Sequence, residues 1–358
     1  MRVAYTLEQL WHRVPGGTAV AAVETARRVR ERDGLELVGV SAWHRRLPEP
    51  PWRPPISVRR LPAPPHVLYE TWHRLRRPHV ERATGPVDVI HATGVAVPPR
   101  TAPLVVTVHD LSYLVYPEHF SAQGRRFFRQ ALELTRRDAD LVLCSSEATR
   151  RHCQEAGLDP GRLRVVPLGA DVAAASEEDV ARVRAAHGLA RPYVLWVGTL
   201  EPRKNLPRLL EAYARLETEA ELVLVGPRGW NQELDPPAGA RLLGFVPGAD
   251  LPPLYAGAAA FCFPSLLEGF GMPVVDAMAQ GTPVVTSSGT STEEIAGDAG
   301  LVVDPRDVDA IAAALGRVLR DPELAQRLGE AGRARAATYT WERTAALTAE
   351  AYAEVAGR

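Results

Sequence analysis

Short apolar runs alternate with stretches of helical periodicity along the whole chain. That alternation predicts βαβ units and parallel sheets. In the first half, strands are expected at 3–6, 37–40, 87–91, 104–109 and 141–145, and helices at 19–32, 67–84 and 124–137. From Leu47 to Pro65 stand eight prolines, at 48, 50, 51, 54, 55, 62, 64 and 65. Proline fixes φ and removes a donor, so this stretch reads as an irregular connection around one short strand at 56–59.

A second series begins at 193. Strands are expected at 193–198, 222–226, 241–244, 260–263, 283–286 and 301–303. Helices are expected at 206–216, 251–256, 273–280, 308–320, 322–337 and 341–355. The Ala/Glu-rich stretch 169–192 reads as a hinge. A single core stops growing near roughly 250–300 residues, so 358 residues suit two domains. The pattern describes two doubly wound α/β domains in tandem with a cleft between them. Ligands in such sheets sit at the carboxyl ends of strands.

Composition narrows the class. The chain is 46% hydrophobic and 24% charged, with no apolar run near the ~20 residues of a membrane span. Its first residues, MRVAYTLEQL, lack the apolar core of a signal peptide. Three cysteines, Cys144, Cys153 and Cys262, make no CxxC pair, which points to a reduced, cytoplasmic protein without a zinc site. Net charge is −1 but uneven: residues 1–172 hold 25 basic and 18 acidic residues, the remainder 17 and 25. Basic clusters at Arg74, Arg76 and Arg77, and at Arg125, Arg126, Arg129, Arg136 and Arg137, are solvated helix faces or a weak peripheral contact with the inner membrane surface or an anionic acceptor. No nucleic-acid-binding motif accompanies them.

One position resists the arginine bias. Lys204 is the single lysine among 42 basic residues, and it lies in GTLEPRKNL, 198–206. Two cations just before a helix oppose its dipole, which prefers anions there. An anion held between Arg203, Lys204 and the helix amides makes the arrangement favourable. Lysine is a compact point charge that reaches between crowded phosphate oxygens, where a planar guanidinium does not fit. The alternative is a surface lysine surviving by chance. After the strand at 260–263 comes PSLLEGFGMPVVD, 264–276. Exposed amides from Gly269 through Phe270 and Gly271 to Met272 suit hydroxyls or phosphate. Glu268 and Asp276 are expected to face one crevice, where carboxylates accept from neighbouring sugar hydroxyls. Asp276 is otherwise a dipole-favourable acid in a first helical turn.

GTLEPRKNL, PSLLEGFGMPVVDAMAQGTPVV, STEEIAGDAGLVVDP and VVPLGAD together resemble family 4 glycosyltransferases of the GT-B fold, two Rossmann-like domains facing a central cleft. The resemblance spans essentially the whole chain and is most specific in its second half. It implies an acceptor-binding domain at 1–170, a nucleotide-sugar-binding domain at 171–338, and a C-terminal helix at 339–358 crossing back onto the first. Glu268 matches the first acid of the family's Glu-x7-Glu motif, which holds the donor sugar. Asp276 stands where a second glutamate, used on the ribose, is usual. Arg203 and Lys204 match the diphosphate-holding pair. Thr199 stands where many members have arginine, a mannosyltransferase-like variant. The loop Pro15-Gly16-Gly17-Thr18 resembles the family's glycine-rich loop near donor phosphate and acceptor. His109 resembles its cleft histidine, and His91 is a weaker candidate of the same kind. Ser145-Ser146-Glu147 is expected to cap a helix starting at Ala148. Base contacts are expected from backbone near Gly226, Gly244, Phe245 and Val246.

The resemblance implies a retaining hexosyltransferase that moves a sugar from a nucleoside diphosphate sugar, GDP-mannose first, to a hydroxyl on a glycan, lipid-linked or small-molecule acceptor. No cofactor or metal is expected. The strings Asp138-Ala-Asp140 and Asp307-Val-Asp309 fall at a strand's entry end and at a helix start. The alternatives are an epimerase or phosphorylase of the same architecture, or a non-catalytic nucleotide-sugar sensor.

Overall fold

Two parallel sheets organise the chain. The computed structural model describes residues 1–12, 14–171, 173–227 and 236–357. They form two units, Met1–Gly169 with Trp341–Arg358, and Ala170–Thr340.

The first unit holds strands β1 (Arg2–Thr6), β2 (Glu36–Ser41), β3 (Val58–Arg60), β4 (Val89–Ala92), β5 (Leu104–Val108), β6 (Leu141–Cys144) and β7 (Leu163–Val165). They run in the order β3-β2-β1-β4-β5-β6-β7, all pairs parallel. Alternate residues of β1 serve opposite faces. Val3 and Tyr5 pack with helix Gly16–Val29 and the C-terminal helix Trp341–Ala356. Ala4 packs with Leu68 and Trp72 of helix Pro65–Leu75 and Leu132 of helix Ala122–Asp138. With both faces covered, parallel strands read as continuous apolar runs, which is why the sequence shows them so plainly.

The helix expected at 67–84 is broken. It ends at Leu75, Arg76 turns to φ 53°, and a separate turn of helix spans Glu81–Thr84. Pro78 is the cause, since proline cannot continue a helix and disfavours the helical region for Arg77 before it. The Arg76 guanidinium ties the break down, donating to the carbonyls of Trp72, Val97 and Pro98 and pairing with Asp138 at 2.8 Å. Strand β7, three residues long, was not foreseen.

The second unit holds β8 (Tyr193–Val197), β9 (Glu221–Val225), β10 (Ala240–Gly244), β11 (Ala260–Phe263), β12 (Val284–Ser287) and β13 (Gly300–Val303), in the order β10-β9-β8-β11-β12-β13. The expected hinge at 169–192 contains a helix, Glu177–Ala186. Ser176 caps it, accepting from the Asp179 amide at 3.1 Å, and Glu177, Glu178 and Asp179 suit the positive end of its dipole. Only Val183 in it is buried, so it carries no apolar stripe for a sequence reading to find. Of this stretch, Val172 lies outside the described residues.

In each sheet the strand order reverses once, between β1 and β4 and between β8 and β11. Loops leaving adjacent strands diverge at such a point and open a crevice for ligands.

Candidate active site

In the second unit, the loops after β8 and β11 carry the charged residues singled out in the sequence. Gly226 fits closely beneath the first loop: its φ is +140°, and a Cβ there would come within 1.8 Å of the Gly198 carbonyl oxygen. Only glycine permits that approach. Pro202–Lys204 then form one 3-10 turn, and Asn205 adopts the left-handed conformation at φ 59°. Asn205 Nδ2 donates to Pro264 O at 2.9 Å and Pro305 O at 2.7 Å. The Leu266 amide donates to Arg203 O at 2.9 Å. The bonds to Pro264 and from Leu266 stitch together two loops that are about sixty residues apart in sequence but leave neighbouring strands, and the bond to Pro305 ties in the loop after β13.

The charges meet in consequence. Lys204 Nζ donates to Glu268 Oε1 at 2.7 Å, and Arg203 Nη1 lies 2.9 Å from Glu268 Oε2. Arg203 Nη2 donates to Glu201 Oε1 at 2.6 Å, and Nη1 donates to Leu267 O at 2.7 Å. The Phe263 ring lies 4.8 Å from the Lys204 ammonium. Lys204 is 8% exposed, Glu268 7% and Glu201 6%. Burial pushes the Glu268 carboxyl up, but Arg203 and Lys204 overcome it and hold the group at about 2. Burial, with Arg203 beside it, lowers Lys204 from its ordinary value against the pull of Glu268 and Glu201. The pair stands as ammonium and carboxylate, because neither charge is left without a counter-charge.

This modifies the expectation for 198–206. Lys204 is not a chance surface residue, and in this structure the two cations are met by carboxylates. Glu201 is the residue that sequence reasoning missed. It stood inside the quoted motif, and only its proximity to Arg203 marks it.

The segment after Glu268 differs from expectation too. Residues 267–271 are buried, not exposed, and only Met272 is partly open. Ser291 Oγ donates to the carbonyls of Glu268 and Phe270, both at 2.9 Å, drawing the loop inward. Phe270 packs edge-on against Tyr339, with centroids 5.6 Å apart. Gly271 begins helix Met272–Ala279 at φ +101°, where a Cβ would meet Thr292 Cγ2 at 2.6 Å. Asp276 is the fifth residue of that helix, beyond its first turn. Among the described residues no hydrogen bond or ion pair joins it to Glu268. Burial, helped by Asp171, raises its carboxyl to about 7. Thr199 is half-buried at the end of β8. Gly244 ends β10 with φ +72°, Phe245 is 76% exposed, and Val246 is buried. Val246 therefore has only backbone to offer a ligand, while Phe245 presents a bare ring.

In the first unit, His109 and His91 sit among neutral groups. His109 follows β5, and its Nε2 donates to Thr93 O at 3.3 Å. The His109 carbonyl accepts from Ser145 Oγ and Thr149 Oγ1, each at 3.1 Å. Burial lowers the His109 imidazole from its ordinary value, with Asp110 opposing. His91 is fully engaged: Nδ1 bonds Tyr352 Oη at 2.7 Å and Nε2 bonds Thr107 Oγ1 at 2.8 Å. Burial holds it neutral, at about 3. Both histidines line a cavity of about 30 Å³, with Tyr5, Thr25, Thr93 and Thr107 among its walls. That volume suits about one water. Gly16 opens helix Gly16–Val29 at φ +65°, three residues before the expected start, and Gly17 is exposed in its first turn. Ser146 caps helix Glu147–Glu155, accepting from Thr149 N at 3.0 Å. Another missed carboxylate is Glu8, buried after β1, which accepts from Ala42 N at 2.8 Å and pairs with His44 Nε2 at 2.7 Å.

The aspartate strings have other partners. Asp140 pairs with Arg100 and accepts from Leu104 N, Asp138 pairs with Arg76 and Arg137, Asp307 caps a helix at Ala310 N, and Asp309 pairs with Arg215. Much of the basic clusters is internally engaged as well: Arg74 and Arg126 with Glu70, Arg136 with Glu133, and Arg125 with the carbonyls of Pro117 and Phe120. No helix among the described residues is long and apolar enough to cross a membrane.

Two doubly wound parallel-sheet units, each with one strand-order reversal, define a GT-B class of protein, and comparison with known proteins agrees. Residues 15–174 match the model for glycosyltransferase family 4, and 179–335 the model for glycosyl transferases group 1. The chain is 36% identical over 280 residues to the O-antigen chain mannosyltransferase B of Escherichia coli, 74% of each chain. It is 31% identical over 306 residues to an MMP alpha-(1->4)-mannosyltransferase of Mycolicibacterium hassiacum, 76% of this chain and 72% of that one. Anabaena HepE, solved with UDP-glucose, superposes with a TM-score of 0.77 at 22% identity, covering 99% of this chain and all of that one. WaaG, a glycosyltransferase of lipopolysaccharide biosynthesis, superposes at 0.72 and 18% identity, again over 99% of this chain and all of that one. The chain belongs to glycosyltransferase family 4. It is a hexosyltransferase that uses a nucleotide-sugar donor.

Proposed function

We propose that this enzyme transfers mannose from GDP-mannose to an acceptor hydroxyl, with retention and without a metal ion. The observation that carries the reading is the set of buried Lys204, Glu268 and Glu201 with half-buried Arg203 at the reversal between β8 and β11. In this reading Arg203 and Lys204 contact the diphosphate and Glu268 accepts from sugar hydroxyls. The anomeric carbon's bond to the phosphate oxygen breaks and a bond to the acceptor oxygen forms on the same face. The acceptor's proton passes to the leaving phosphate. Negative charge grows on that phosphate, and fixed cations aimed at developing charge are usually the largest single catalytic contribution. The two cations supply the role a divalent ion otherwise fills. Mannose is favoured because two relatives that share about a third of their residues with this chain are mannosyltransferases. Asp276 reaches the ribose through a longer or water-mediated contact, and exposed Phe245 lies against the base with the Gly226 and Gly244 backbone beside it. His109 and the Gly16-Gly17 turn serve the donor sugar and the acceptor, which is a glycan, a lipid-linked glycan or a small molecule.

The test is a binding panel with EDTA present: GDP-mannose, UDP-glucose, UDP-GlcNAc, and dTDP- and ADP-sugars. Tight binding of GDP-mannose alone supports the reading. Selective binding of another base reassigns the donor, and binding only when magnesium is restored removes the metal-free mechanism.

A further inference from the structure

Glu268 spans the two cations, one carboxylate oxygen on each, at 2.7 and 2.9 Å. Its loop is pinned by Ser291, which donates to Glu268 O and Phe270 O, so the carboxylate is not on a freely swinging tether. Among the described residues Glu268 is the only hydrogen-bond acceptor of the Lys204 ammonium. An ammonium has three N–H donors, so a phosphate oxygen can join Lys204 while Glu268 stays.

We propose that Glu268 makes this site select a nucleotide sugar over the bare nucleoside diphosphate. The inference rests on the reading of Arg203 and Lys204 as diphosphate ligands. In the sugar ester, an uncharged ring separates the second phosphate from the carboxylate, and ring hydroxyls donate to Glu268. In the bare diphosphate, a terminal phosphate takes the ring's place, and a phosphate monoester's second ionisation near pH 6 gives it about one further negative charge. Two like charges meet in a buried site, where water screens them poorly. Glu268 does not relieve the repulsion by taking up a proton, because its two cations hold it ionised. The carboxylate that receives the sugar therefore opposes the product once the sugar has left. The site does not need Glu268 to be absent in order to bind the donor, only to be covered by the sugar.

The experiment is calorimetric titration of GDP and GDP-mannose, and of UDP and UDP-glucose, into the wild-type protein and Glu268→Gln, with EDTA present. Folding of the variant is checked by its thermal unfolding. The amide keeps the shape and removes the charge. Glu268→Gln is expected to bind bare diphosphate at least about tenfold more tightly than wild type, while sugar-ester binding is unchanged or weaker. A loss of structure alone weakens both ligands and does not reverse their ratio. Unchanged or weaker diphosphate binding in a folded Glu268→Gln overturns the inference and leaves the donor site standing. A wild-type protein that binds neither diphosphate nor sugar ester overturns both. If Glu268→Gln does not fold, Glu268→Asp decides. It keeps the charge one methylene further from the ligand, so it should bind bare diphosphate a few-fold more tightly, and a wild-type affinity would refute the proposal.

Discussion

Around His91 in the first sheet the buried polar groups are neutral, and in the loops after β8 and β11 of the second they are charged. His91, Thr107 and Tyr352 satisfy one another with short hydrogen bonds, and the histidine carries no proton to spare. Buried Glu201, Lys204 and Glu268 and half-buried Arg203 bring four charges together within one loop pair. A neutral network rigidifies a core at modest net gain. Buried ion pairs roughly break even against apolar packing of the same volume, and removing one partner is strongly destabilising. The first arrangement is intelligible as architecture. The second adds little stability over apolar packing, which is why it points to a ligand.

The contrast can be broken in several ways, in descending order of effect. The largest is Gly226→Ala, which drives a Cβ into the Gly198 carbonyl under the charged loop. A loss on the order of 4 kcal/mol or more is expected, seen as failure to fold or a collapsed denaturant midpoint. Wild-type stability would mean the loop is not built on that approach. Next is Lys204→Ala, expected to lower sugar transfer by more than ~100-fold, with Lys204→Arg recovering only part. Steady-state rates of both variants suffice, and full activity in both would remove Lys204 from the chemistry.

The two units should then respond oppositely to acid. His91 and His73, held by burial at about 3 and about 4, bind fewer protons folded than unfolded below their ordinary 6.5. Their stabilisation is complete above pH 6.5 and is lost as pH falls. For His91 that is about 2 kcal/mol between pH 7 and 5. Asp276, raised to about 7, has the reverse sign: its contribution is complete below 3.8 and is lost as pH rises through 7. Glu268 loses its own contribution only as pH falls from 4.5 towards 2. Hydrogen exchange at pH 7 and 5, resolved by peptide, should show the first unit opening more readily in acid and the second less so. A shift of both in one direction would contradict these assignments. Smallest is Tyr352→Phe, which leaves His91 Nδ1 unpaired and should cost about 1–2 kcal/mol in urea unfolding without changing donor affinity.

The sheets were legible because parallel strands covered on both faces are apolar end to end. The helix Glu177–Ala186 was not, since one buried valine leaves no periodicity. Lys204 stood out by composition and Glu268 by its motif. Their bond was not foreseen, because it depends on β8 and β11 being neighbours, a fact of sheet order between positions 64 apart. The inward tilt of 267–271 was equally hidden, set by a serine hydroxyl at the start of the helix Ser291–Ala296 that follows β12.

The central claim is that Lys204 and Arg203 take the donor's diphosphate without a metal. Its most direct test is calorimetric titration of GDP-mannose, and of whichever sugar nucleotide the panel selects, into wild type and Lys204→Ala with EDTA present. Tight wild-type binding, weakened on the order of thirtyfold or more in Lys204→Ala, is the predicted result. Equal affinity in the two proteins, or no wild-type binding until magnesium is added, would contradict it.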